Sequence, residues 1–117
     1  MASKDRPAEE LFEELAEPYL TDPAVSRGTG FGSSAGLRVE GRIFAMLDRK
    51  GELVVKLPKR RVDQLIQSGT CAPFNPRHSG RPMKEWATVP LRHRREWDEL
   101  VGEAFQFVRS AGPRPLR

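Results

Sequence analysis

The segment "GLRVEGRIFAMLDRKGELVVKLP", Gly36 to Pro58, constrains the fold of this chain more than any other stretch. Apolar residues alternate through its first half, with Leu37, Val39, Ile43, Ala45 and Leu47 on the odd side. Leu53, Val55 and Leu57 continue the pattern in the second half. A period of two means strands with one face on a core. "DRKG" between the two runs predicts a hairpin turn ending in Gly51, and Gly41 marks a tight turn or a bulge within the first run. Strands joined by such short turns are antiparallel. Their apolar face needs a covering layer, which the rest of the chain must supply.

Helical stripes flank this region. From about Arg94 to Val108, residues Trp97, Leu100, Val101, Ala104, Phe105 and Val108 recur at the spacing of one buried helix face. "PAEELFEELAEPYL" sets Ala8, Leu11, Phe12 and Leu15 on one stripe, has early glutamates at the positive end of the dipole, and is predicted to end or kink at Pro18. "PKRRVDQLIQSG" reads as a short helix that faces Val62, Leu65 and Ile66 inward and closes at Gly69. "TDPAVSRGTGFGSSAG" reads as loop, "TCAPFNPRHSGRPM" as irregular or a weak strand, and "KEWATV" as a strand entered from the proline-fixed turn "GRPM". The prediction is a two-layer α+β domain of order αβββαββα, an antiparallel sheet with helices on one face. It takes residues 1–117 as one domain, with a core over about 7–109 and a loose, proline-rich tail over 110–117. A chain of 117 residues is long enough for one core of this kind.

Chemistry-bearing motifs are few. "GTGFGSSAG" has neither the spacing nor the strand-to-helix context of a phosphate-binding loop. Cys71, His78 and His93 are not spaced as metal ligands, and no third group orients a thiol nucleophile. No two carboxylates are placed for acid–base work. No catalytic residue, no metal and no cofactor are therefore expected. A single cysteine excludes a disulfide framework and suits a reducing cytoplasm. The opening "MASKDRPAEE" lacks the apolar run of a secretory signal, and no run is long enough to span a membrane. The net charge of +4 is unevenly placed: acids crowd the first helix, and bases crowd "KLPKRR", "LRHRRE" and the tail. Such runs suit nucleic acid when they share a face with aromatics, and are otherwise solvated surface.

The pattern also resembles a known family. A glycine and basic residue before "FA" (Gly41, Arg42, Phe44, Ala45), then "LVVKLP" with Lys56, Leu57 and Pro58, are two of its marks. A "GRPMK" turn before Trp86, and a last helix with Trp97, Leu100 and Phe105, complete it. Together, over about Gly36 to Val108, these look like the MmcQ/YjbR-like family and the related N-terminal domain of the TfoX/Sxy competence regulators. The resemblance implies a secretion-chaperone-like sheet-plus-helices domain with no established enzymatic chemistry. It also carries a suggested, transcription-related binding of DNA. The TfoX/Sxy regulators have a second domain that is not expected here, so a competence role is not carried over.

Alternation leaves a second sheet face. Arg38, Glu40, Arg42, Phe44, Met46, Glu52, Val54 and Lys56 are expected there, with Lys84, Trp86 and Thr88 of the later strand. The candidate binding face is therefore Arg42, Phe44, Met46, Val54, Lys56, Arg81, Lys84 and Trp86, an apolar centre rimmed by cations. The alternative is that a helix or the N-terminal segment folds over it. The leading functional expectation is a non-catalytic module that binds nucleic acid or a protein, as a monomer or homodimer. A chaperone-like dimer and a small enzyme using the loop 71–85 are the alternatives.

Overall fold

The computed structural model describes residues 7–28, 35–74 and 83–111. Three helices, α1 (Pro7–Leu20), α2 (Lys59–Gln67) and α3 (Trp97–Ala111), pack on one six-stranded sheet. Its strands are β1 (Val25–Arg27), β2 (Gly36–Val39), β3 (Arg42–Leu47), β4 (Leu53–Lys56), β5 (Ala72–Phe74) and β6 (Met83–Val89). They lie in the order β1-β2-β3-β4-β6-β5, and every neighbouring pair is antiparallel. The two-layer α+β architecture is as expected. One strand is additional: Val25–Arg27, read as loop from its composition, pairs with Val39, Arg38 and Leu37 to form one edge. Its three residues show no period, and only the partner strand makes them a strand. The opposite edge, β5, carries Pro73, which an edge strand tolerates because its outer side needs no N–H donor.

The hydrophobic cluster lies between the sheet and the helices. Trp97, Leu100, Val101, Ala104, Phe105 and Val108 of α3 are all buried, against Leu37, Val39, Leu53 and Val55 of the sheet. α1 contributes Ala8, Phe12 and Ala16, and α2 contributes Val62 and Leu65. Three aromatic rings tie α1, β3 and α3 together. Tyr19, Phe44 and Phe105 stand with centroids 5.1 to 5.8 Å apart in tilted and edge-on pairs. This cluster also explains why α1 passes through Pro18 to Leu20 instead of ending there. Proline removes one helix hydrogen bond, but the turn beyond it is held by the packed Tyr19 ring and by the Thr21 hydroxyl donating to the Pro18 carbonyl at 2.8 Å.

The turns follow local chemistry. Glu40 and Gly41 both have positive φ (53° and 81°), the two-residue turn that suits strand twist, so Gly41 marks a turn. After Leu47, the Asp48 carboxylate accepts from the Lys50 and Glu52 N–H groups at 2.9 Å, and Gly51 takes φ 80°. α2 closes on Gly69, whose N–H donates to Ile66 O while Thr70 N–H reaches back to Leu65 O. α3 starts at Trp97, the first residue of its stripe and later than the expected start near Arg94, because Leu91–Glu96 form a 3-10 turn first. Among the described residues no helix is long and apolar enough to cross a membrane.

A bulge in β3 changes the face assignments. Leu37 pairs with Ala45, but Arg38 pairs with Ile43 and Val39 with Arg42, so β3 carries one extra residue at Phe44. Phe44 and Ala45, adjacent in sequence, are both fully buried in the helix-facing cluster. Two expected outer-face residues are corrected here. Phe44 faces the helices, and Arg42, two residues before it and opposite buried Val39, lies on the same side. Ile43, expected inside, is half-buried, opposite Arg38 and outside the core cluster.

Candidate binding face of the sheet

The face turned away from the helices is built by the register of β2, β3, β4 and β6. Val54 stands between Leu53 and Val55, both in the helix-facing cluster, so its own side chain points the other way. It pairs with Met46 on one side and Thr88 on the other, and Thr88 pairs with Ala72 of β5. One row across the sheet is therefore Met46, Val54, Thr88 and Ala72. The next row joins Lys56 to Trp86.

Exposure along these rows is uneven. Val54 is fully buried although it lies outside the core cluster, and Thr88 is buried too. Met46, Lys56 and Trp86 are half-buried, and Lys84 is exposed. Of the expected binding-face residues, the structure thus brings Met46, Val54, Lys56 and Trp86 together. Val54 is closed off, Arg42 and Phe44 lie on the helix side, and Arg81 lies outside the described residues. Ile43 and Phe74 were missed. Ile43 follows from the bulge, which has no signature in sequence. Phe74 sits in a stretch broken by prolines, where no period could place it.

Trp86 is the focus of what remains. Lys56 Nζ lies 5.2 Å from the centre of its ring, and the Phe74 ring is 6.2 Å away at 52°. Lys56 also reaches Glu85 Oε1 at 3.7 Å, a loose and partly exposed pair of small worth. Met83, 46 % exposed, stands opposite Phe74 where β5 and β6 slip in register. Arg38 spends one guanidinium nitrogen on the Arg27 carbonyl at 3.3 Å.

Of the loop 71–85, the alternative enzyme site expected from sequence, the structure describes residues 71–74 and 83–85. Cys71 is buried, and desolvation pushes its thiol up to about 11, outweighing the Arg61 cation that pulls it down. It is a protonated core residue at neutral pH. His78 lies outside the described residues, and His93 is half-buried in the 3-10 turn. Among the described residues no three His, Cys, Asp or Glu side chains are grouped to hold a metal. A groove of about 620 Å³ lies between α2 and α3, over Leu57 and Phe107. Its rim is the two-pronged pair Arg61–Glu103, at 2.8 and 3.0 Å, and the hydrogen bond to Glu103 raises the Arg61 pKa further.

Comparison with curated proteins and with solved structures returned no match. The YjbR family model matches residues 20–107. That span begins at the end of α1 and takes in all six strands, α2 and most of α3. The bulged strand, the hairpin and Trp86 all fall inside it, and the chain belongs to the YjbR family.

Proposed function

We propose that this protein is a non-catalytic binding module that takes nucleic acid at Trp86, on the face of its sheet turned away from the core cluster. The observation that carries the reading is the Trp86 site. An indole, half-buried beside Phe74 and under Lys56, lies on the face turned away from the core cluster. Bases stack on such rings irrespective of sequence, and nearby cations meet the phosphates. Lys84, exposed on the same strand, supplies a further cation. Such a partner, with a single buried thiol, suits a reducing cytoplasm.

The test is fluorescence anisotropy of a labelled oligothymidylate titrated with the protein. Trp86→Ala should weaken binding by roughly 10- to 100-fold, the usual worth of one stacked base, while far-UV circular dichroism stays unchanged. Equal affinity of the variant and the parent would refute the site. A protein partner is the second reading, favoured by exposed Met83 beside Phe74, since methionine and aromatics are enriched in interface centres. If sedimentation showed a dimer that Met83→Glu dissolves, and no oligonucleotide bound, that reading would replace the first.

A further inference from the structure

The cations of the chain are not spread evenly around the sheet. Leu53 of β4 pairs with Val89 of β6, and the two strands run in opposite directions. The β3–β4 turn and the segment following β6 therefore emerge side by side at one end of the sheet. The first carries Arg49 and Lys50, and the second carries Arg92, Arg94 and Arg95. All five are exposed, and none makes an ion pair among the described residues. Arg94 makes a local hydrogen bond, donating to the Leu91 carbonyl at 3.3 Å. Elsewhere, Arg27, Arg42, Lys56, Lys59 and Arg61 each have a carboxylate partner.

Acids are also present at this end, among them Glu9 and Glu10 in the first turn of α1, whose neighbour Ala8 lies against Gly51. The Asp48 carboxylate is spent on two backbone N–H groups. Asp98 and Glu99 lie in the first turn of α3, where the helix dipole favours them. Glu52 and Glu96 are half-buried and bridge to none of the five cations.

We propose that this end of the sheet, Arg49, Lys50, Arg92, Arg94 and Arg95, is the phosphate-contacting part of a single-stranded nucleic acid site. Resting on the reading of Trp86 given above, it adds the form of the ligand and its path. β6 connects the two parts directly: Trp86 lies four residues before Pro90, about 13 Å of strand. Two to three nucleotides spanning that distance, passing over buried Thr88 rather than touching it, would stack a base on Trp86 and bring the next phosphates to the arginine turn. A half-exposed aromatic ring suits unstacked bases, and a duplex hides those faces.

The experiment is the salt dependence of binding of the full chain to labelled oligothymidylate and to a duplex of equal length. Each phosphate contact on a single strand contributes about 0.7 to the slope of log affinity against log salt. Replacing Arg92, Arg94 and Arg95 together by glutamine should lower that slope by about 2, and R49Q/K50Q by about 1.4. K59Q/R60Q, at the other end of β4, should leave it unchanged. An arginine variant with the parent slope, while Trp86→Ala still weakens binding, would overturn this inference and leave the Trp86 site standing. Equal loss of slope in K59Q/R60Q would also overturn it, as would a duplex that binds as tightly as the single strand. No binding of either oligonucleotide would overturn both readings.

Discussion

Replacing Phe44 tests the bulge, because the face of this residue depends on it. If β3 alternated without interruption, Phe44 would stand on the outer face and its truncation would cost little. With the extra residue it is fully buried, with its ring centre 5.8 Å from that of Tyr19 and 5.3 Å from that of Phe105. Truncating a buried phenylalanine to alanine costs about 3–5 kcal/mol. Two ring pairs, each contributing about 0.5–1.5 kcal/mol beyond burial, place Phe44→Ala at the upper end, near 5 kcal/mol. That is comparable with the whole stability of a small domain, about 5–15 kcal/mol. Phe44→Leu, expected to cost about 1–2 kcal/mol, keeps the comparison measurable. Ile43→Ala, at a half-buried position outside the core cluster, should cost about 1 kcal/mol or less. Urea unfolding followed by far-UV circular dichroism gives each difference, provided the slopes against urea agree. If Ile43→Ala proved costlier than Phe44→Ala, the bulge would be misplaced and the face assignments with it.

Three further outcomes follow from local features. Glu40 takes φ 53° in the β2–β3 turn, a region asparagine tolerates better, so Glu40→Asn should raise stability by about 0.5–1 kcal/mol in the same urea assay. A destabilised variant would show that the loose pair with Arg42, at 3.7 Å, matters more than the backbone. For Cys71, the folded thiol titrates at about 11 against 9.0 for the free group, so the folded state keeps its proton longer. The stability this gives is complete below pH 9 and is lost as pH rises toward 11, on the order of 2 kcal/mol. Cys71→Ala should lose less stability over that window than the parent, and parallel losses would show that the thiol is not desolvated. The Arg61–Glu103 pair, two-pronged and about a third exposed, should show a coupling of about 1 kcal/mol in a double-mutant cycle of R61K with E103Q. Additive effects would mean that the two helices are held by packing alone.

Some features of this protein were legible in its residues because they are local. The stripe from Trp97 to Val108 repeats at helical spacing and is buried along its length. Gly41, Gly51 and Gly69 adopt the positive φ that their turns require, which glycine signals by itself. Pairings between distant segments were decided by the tertiary structure. Val25–Arg27 is a strand only because β2 offers it a partner. Pro18 stays within a helix whose last turn is held by Tyr19, packed on Phe44 and Phe105, and by Thr21. The bulge at Phe44 exists only in the register of β3 against β2, and one extra residue moves a phenylalanine from the expected binding face to the core. Side-chain alternation is a property of one strand, whereas the residue at which it slips is set by the strand beside it. The candidate site could therefore be outlined from sequence at Lys56, Lys84 and Trp86, but Arg42 and the apolar members could be assigned only once the strands were paired.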